Sequence, residues 1–177
     1  MQLSLLPICL VAGFGFPLVA SAQTTAAPGK YPVLQAYDPT SDSTTRSVEV
    51  QRGRYFLHFH KPRVAVALAY RGREAPAEPD SVLIEFRTQS PQYTATNVLT
   101  LTGPGDLHLL AAATRSRVHT HIQTTDHTLT FVLPAAELRP LLTTTKARLE
   151  VGGVKVDLKR DQLAALEALL GSGSAAP

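Results

Sequence analysis

The stretch KARLEVGGVKVDL, residues 146–158, decides the fold class because it specifies a β-hairpin almost by itself. Its centre, Gly152-Gly153, accepts the positive φ angles that a two-residue hairpin turn requires. A turn at this dipeptide fixes which residues face each other across the two strands. It places six apolar side chains on one face of the hairpin: Ala147, Leu149, Val151, Val154, Val156 and Leu158.

The charged residues of the same stretch agree with this register. Glu150 lies opposite Lys155 and Arg148 lies opposite Asp157, so both cross-strand pairs join opposite charges. A shift of one residue would turn the apolar side chains to the other face and separate both pairs. The sequence therefore predicts an antiparallel hairpin in this one register.

An amphipathic helix is predicted directly after the hairpin, over residues 159–170. Leucines recur at helical spacing, alanines fill the positions between them, and Gly171 follows where a C-cap favours glycine. We expect this helix to pack against a sheet or across the open end of a barrel. Its apolar stripe comprises Leu163, Leu166, Leu169 and Leu170.

The C-terminal stretch resembles a known group of proteins. Residues 147–170 contain a strand, Gly152-Gly153, a second strand, and then Asp161-Gln162-Leu163 with leucines at every third position. This arrangement is similar to the C-terminus of a loose group of uncharacterised, exported, β-rich bacterial proteins. The resemblance implies the hairpin and the helix, and it carries no function.

The upstream sequence alternates apolar and polar residues in short runs between turn residues, which is typical of antiparallel strands. Four runs are well defined: residues 55–60, 64–70, 82–87 and 128–133. Three weaker runs cover residues 97–101, 107–111 and 118–123. The sequence therefore predicts a mostly β fold, an antiparallel β-sandwich or a partly open barrel, with a C-terminal α-helix.

The first 22 residues are typical of a cleavable signal peptide. They contain no Lys, Arg, Asp or Glu, and their apolar run leads through Pro17 to the small residues Ala20-Ser21-Ala22. Signal peptidase accepts small residues at the first and third positions before the cut. We predict export to the periplasm or the medium after cleavage before Gln23. The alternative is an uncleaved membrane anchor, since the run is nearly long enough to span a bilayer.

These features divide the chain into four segments. Residues 1–22 form the signal peptide, 23–45 a flexible tether with a short ordered segment near residues 31–37, 46–170 the β domain and 171–177 a flexible tail. The only cysteine, Cys9, lies in the signal peptide, so the mature chain is expected to have no thiol and no disulfide. We also expect no membrane span once the signal peptide is removed.

Composition and motifs exclude several function classes. The net charge is +3 with neutral histidines, which is too small to indicate a nucleic-acid partner. The sequence lacks the Gly-x-Ser-x-Gly and His-Glu-x-x-His motifs, the phosphate loop and the dinucleotide fingerprint. We therefore predict a non-catalytic protein without a cofactor. A hydrolase assembled from distant Ser, His and Asp residues is the third hypothesis.

Arginines flank a glycine at two predicted turns. If residues 46–70 form a simple meander, both turns lie at the same end of the sheet. Guanidinium groups crowded at one rim would bind an anionic envelope component, such as a lipid phosphate or an acidic glycan. The alternative is that these cations flank hydrophobic strands and prevent pairing with other chains. The anion-binding candidates are Arg52, Arg54, Arg71 and Arg73.

Two His-x-His pairs indicate a possible metal site. Residues two apart on a strand point to the same face, so each pair offers two imidazoles to one copper or zinc ion. The alternative is that these histidines occupy the polar positions of amphipathic strands. The metal-binding candidates are His58, His60, His119 and His121.

These observations lead to one functional hypothesis and two rivals. We expect an exported, non-catalytic β domain that acts in the cell envelope or medium as a binding or structural module. Its partner is not identified by the sequence, although the arginines favour an anionic envelope component. The first rival is a periplasmic copper or zinc protein using the histidine pairs, and the second is the hydrolase.

Overall fold

The computed structural model describes five parts of the chain: residues 30–56, 59–76, 78–105, 107–120 and 124–171. The predicted signal peptide, the predicted cleavage site and the tail beyond Gly171 lie outside the described residues.

The described residues form a mostly β fold in which nine antiparallel strands make one sheet that curls into a half-barrel. The strand order is β1-β2-β5-β6-β9-β8-β7-β10-β11, and β3 and β4 form a separate two-stranded ribbon. The prediction of a partly open barrel with a C-terminal helix is confirmed. The elements are β1 Val33–Asp38, β2 Ser43–Gln51, β3 Arg54–Phe56, β4 Phe59–Lys61, β5 Arg63–Arg71, β6 Ser81–Thr88, β7 Val98–Thr102, β8 His108–Thr120, β9 Thr125–Pro134, α1 Ala135–Leu142, β10 Lys146–Val151, β11 Val154–Lys159 and α2 Arg160–Leu170.

The C-terminal hairpin forms in the predicted register. Leu149 lies opposite Val156, and the six apolar side chains of this face are each at most 6% exposed. On the other face Arg148 Nε donates to Asp157 Oδ1 at 2.7 Å. This hydrogen bond lowers the pKa of Asp157 and raises the pKa of Arg148. Both predictions, the hairpin and its charge pairing, are confirmed.

Helix α2 covers the concave side of the half-barrel. It contacts β1 and β2 at one end of the strand order and β10 and β11 at the other end. The predicted leucine stripe is buried in this interface. Gln162 links the helix to the sheet, because its side-chain amide donates to the Val50 carbonyl at 2.7 Å and its oxygen accepts from the Lys159 N–H at 2.8 Å.

Strand β8 turns the corner between the two halves of the sheet. Residues 108–112 pair with β7, whereas residues 113–120 pair with β9, and a bulge between Ala113 and Arg115 marks the change. Bulges bend and twist a strand, which is how a sheet curls. Within the described part of the chain, no strand pairs with the second edge of residues 114–120.

The sheet begins earlier than the predicted boundary at residue 46. Residues 33–38 and 43–45, which we assigned to a flexible tether, lie in β1 and β2 and pair with each other. The turn between them is closed by Asp38, whose carboxylate accepts from the Thr40 N–H and the Ser41 hydroxyl. These hydrogen bonds lower the pKa of Asp38. The tether prediction is therefore wrong for residues 38 and 43–45, because serine and threonine occupy strand positions at 43–45, whereas the ordered segment expected near residues 31–37 coincides with most of β1.

Candidate functional site

The four predicted rim arginines do not meet. The prediction required a strand between β2 and β5, but the intervening residues form the β3–β4 ribbon and β5 pairs directly with β2. Ser43 lies opposite Arg71, while Gln51, next to Arg52, lies opposite Val64. Strand β2 separates the two ends by about 26 Å at roughly 3.3 Å per residue. The prediction that all four arginines lie at one end of the sheet is therefore wrong.

Each pair of these arginines is exposed at its own end of the sheet. Arg52 and Arg54 flank the start of the β3–β4 ribbon. Arg71 ends β5, and the Arg73 guanidinium lies 4.6 Å from the centre of the Tyr37 ring. Arg73 is therefore engaged in a cation–π contact within the protein, whichever anion the other arginines bind.

The histidine pairs are only partly described. His58 and His121 lie outside the described residues, and the side chain of His60, in β4, is likewise outside them. His119 is exposed in β8 and lies opposite Asp126 of β9. No group of three or more His, Cys, Asp or Glu in the described part of the chain is placed to hold a metal ion. The metal hypothesis therefore stays a prediction.

A different row of cations stands on the outer face of the sheet. Arg115, Arg117 and His119 alternate along β8, and all three are exposed. Arg115 lies opposite Thr130 and Arg117 opposite Thr128. Directly opposed residues of an antiparallel pair share a face, and the core residues of β9 point the other way. We call Arg115, Arg117 and His119 the outer cation row.

Arginines on the neighbouring strands of the outer face are already paired. The Arg87 guanidinium lies 2.8 Å from the Asp126 carboxylate, which is buried. Arg63 contacts Glu85 at 3.0 Å and Glu49 at 3.4 Å. By contrast, neither Arg115 nor Arg117 forms an ion pair within the described residues. Arg115 and Arg117 thus add positive charge to this face that no carboxylate of the described residues neutralises in an ion pair.

Exposed apolar side chains lie on the same face of the sheet as the outer cation row. Leu110 of β8 is 70% exposed, and Val98 of β7 and Val132 of β9 are 44% and 43% exposed. Their strand positions put all three on the outer face, because the core residues of these strands alternate with them. The outer face therefore combines cations with an apolar surface, and we call these six residues the outer patch.

The alternation that marks the outer cation row is visible in the sequence. Residues 115–119 read Arg-Ser-Arg-Val-His, which places three basic side chains on one face of any strand. Of this run, only the histidine was considered above, as a candidate metal ligand. The neighbouring arginines, without acidic residues between them, were the stronger signal.

Comparisons with protein-family models, with curated proteins and with solved structures find no match to this chain. Among the described residues, no helix combines the length and the apolar character needed to cross a membrane.

Proposed function

We propose that this chain is an exported, non-catalytic binding module that attaches to anionic lipid surfaces through the outer patch. The observation that carries the proposal is the outer cation row. Arg115 and Arg117 project from alternate positions of one strand, about 7 Å apart, and no carboxylate of the described residues is paired with either. Export rests on the predicted signal peptide.

The charge of the outer cation row is suited to a flat anionic surface. Two guanidinium groups on one strand contact neighbouring phosphates without rearrangement of the backbone, and each guanidinium forms forked hydrogen bonds. Near an anionic membrane, each arginine contributes about 1 kcal/mol of attraction. Arg115 and Arg117 together therefore account for roughly 2 kcal/mol, or about a 30-fold change in binding.

The apolar half of the outer patch favours a lipid surface over a soluble polyanion. Leu110, Val98 and Val132 expose hydrocarbon on the same face as the cations. Interfacial binding gains from apolar area inserted at the level of the headgroups, in addition to electrostatic attraction. An acidic polysaccharide offers the charge but no hydrocarbon for these side chains to enter.

The test is co-sedimentation of the exported protein with vesicles of mixed phosphatidylglycerol and phosphatidylcholine. We expect the double variant Arg115→Ser, Arg117→Ser to bind roughly 30-fold more weakly than the native protein. Binding of the native protein should fall steeply between about 0.05 M and about 1 M salt, because the Debye length falls to roughly 3 Å.

The matched control is Arg52→Ser, Arg54→Ser, which removes the same charge from exposed positions outside the outer patch. Equal binding by the native protein and the Arg115→Ser, Arg117→Ser variant would contradict the proposal. The role of these arginines would then be to prevent the open edge of β8 from pairing with strands of other chains. Equal retention on phosphatidylcholine alone, or on a heparin column but not on vesicles, would also contradict the proposal.

A further inference from the structure

A cleft opens where β5 extends beyond its pairing with β6. The pairing of these strands ends at Ala67 and Leu83, so Leu68 to Arg71 have β2 on one side only. The loop before β6 closes the other side and leaves a cleft of about 380 Å3. Its walls include Leu68, the Tyr70 side chain and two prolines of the loop, Pro76 and Pro79.

Both ends of the loop are fixed by backbone hydrogen bonds. The Gly72 N–H donates to the Asp42 carbonyl at 2.9 Å, and the Ala135 N–H donates to the Asp80 carbonyl at 3.0 Å. Gly72 has a φ of 76°, which favours glycine at this turn. The cleft is therefore a defined feature of the fold.

A buried cation without an acidic partner stands beside this cleft. Arg46 is only 7% exposed, and its Nε has no hydrogen-bond acceptor among the described residues. It lies opposite Leu68 in β5, so it shares the concave face with Leu68 and Tyr70, two of the residues that line the cleft. Within the described residues, no carboxylate forms an ion pair with Arg46. A buried charge of this kind is costly unless an anion compensates it.

Tyr70 supplies a second donor at the same place. Its hydroxyl is buried and, within the described residues, lacks a hydrogen-bond partner of ordinary geometry. Burial raises the pKa of Tyr70, while the Arg46 charge and the Thr44 hydroxyl oppose that increase. The Thr44 hydroxyl donates to the Gly72 carbonyl. Tyr70 therefore stays protonated near neutral pH and has a proton to donate.

We propose that Arg46 and Tyr70 bind the carboxylate of a small organic acid whose apolar body occupies the adjoining cleft. A guanidinium and a phenol together match the two oxygens of one carboxylate, and within the described residues neither the Arg46 Nε nor the Tyr70 hydroxyl has a hydrogen-bond partner. Leu68, Tyr70, Pro76 and Pro79, which line the cleft, supply apolar surface for the remainder of the ligand. The volume of the cleft lies at the lower end of the range for small-molecule sites.

The charges around the cleft restrict the ligand further. Glu74, Glu78 and Asp80 line it, against a single lining cation, Arg71. These carboxylates repel every anion, and they repel a ligand with two or more negative charges more strongly than a monoanion. The site therefore favours a monocarboxylate over phosphate. It is separate from the outer patch and does not depend on the proposed function.

The test is isothermal titration of the full exported protein with octanoate, acetate and inorganic phosphate. We expect saturable binding of one octanoate, weaker binding of acetate, which has no apolar body, and no binding of phosphate. Arg46→Met should weaken octanoate binding at least tenfold, because a charge-assisted hydrogen bond is lost. Tyr70→Phe should weaken it less.

The thermal stability of Arg46→Met and a matched arginine variant serve as controls. Methionine replaces the unpaired buried charge with an apolar chain, so we expect Arg46→Met to keep or raise the Tm. Arg160→Met, at an exposed position of α2, should leave octanoate binding unchanged. Absence of octanoate binding to the native protein, equal octanoate binding by Arg46→Met, or equal binding of phosphate by the native protein would each overturn the proposal.

Discussion

Leu149→Ala is expected to destabilise the domain by roughly 2–5 kcal/mol, the range for a leucine truncated in a packed core. Leu149 is 1% exposed and lies between Leu101 of β7 and Val156 of β11. It thus joins the C-terminal hairpin to the rest of the sheet. A loss of this size is a large part of the roughly 5–15 kcal/mol that holds such a domain together.

The measurement is thermal unfolding followed by circular dichroism, in which we expect the Tm to fall by roughly 10 °C. Lys155→Ala is the matched control, because Lys155 is exposed on the opposite face of the same hairpin. Its ion pair with Glu150 spans 3.8 Å and contributes less than about 1 kcal/mol. Equal Tm values for Leu149→Ala and Lys155→Ala would contradict the burial of the apolar face of the hairpin in the core.

Gly152→Ala is the second change with a large expected effect. Gly152 has a φ of 56°, where an alanine costs about 1–2 kcal/mol. A Cβ atom here would also clash with the Thr94 carbonyl oxygen and lie 2.6 Å from the Tyr93 ring. The Thr94 N–H donates to the Gly152 carbonyl at 2.9 Å, so this loop cannot withdraw freely. We expect a total loss of about 3–5 kcal/mol.

Gly153→Ala separates the two contributions to that loss. Gly153 has a φ of 80°, but a Cβ atom there would meet only the Gln92 carbonyl oxygen at 3.4 Å, an ordinary contact. Urea unfolding of both variants should give Gly152→Ala at least twice the loss of Gly153→Ala. Equal losses would mean that the 89–97 loop does not pack against the hairpin turn as described.

The C-terminal hairpin and α2 were predictable because their information is local. Gly152-Gly153 allows one tight turn, and the alternation on both sides agrees with one register only. The leucine spacing in α2 is likewise local information, since one helical period accounts for every buried leucine of the helix. In these two elements, propensity, pattern and turn chemistry all favour the same structure.

The pairing of β2 with β5 was not predictable from local pattern. Residues 55–60 alternate like a strand, and a strand there would have brought both arginine turns to one end. Residues 54–56 and 59–61 instead form a separate ribbon, and a two-residue period cannot distinguish such a ribbon from a strand of the main sheet. The partner of a strand depends on contacts across the whole chain. The strand wrongly assumed between β2 and β5 therefore misplaced all four candidate arginines.

The candidate site was predictable in part. The alternation of Arg115, Arg117 and His119 follows from the sequence, but their exposure depends on the corner that β8 makes at its bulge. The burial of Arg46 was hidden for another reason. Arg46 directly follows the predicted tether and has polar neighbours in the sequence. Its burial follows from the position of β2 between β1 and β5, which places the Arg46 side chain on the concave face.

The most direct test of the proposed function asks which face of the protein meets the lipid. An environment-sensitive bimane label on Leu110→Cys would report the outer patch, and the same label on Leu34→Cys would report another exposed apolar position. Leu34 lies in β1, five strands away from β8 in the sheet, or roughly 24 Å. Cys9 is expected to leave with the signal peptide, so each label occupies a single site. On addition of phosphatidylglycerol vesicles, we predict a blue shift and an intensity increase for the label at residue 110 and no change for the label at residue 34. Vesicle binding without any change at residue 110, or with a larger change at residue 34, would contradict the proposal.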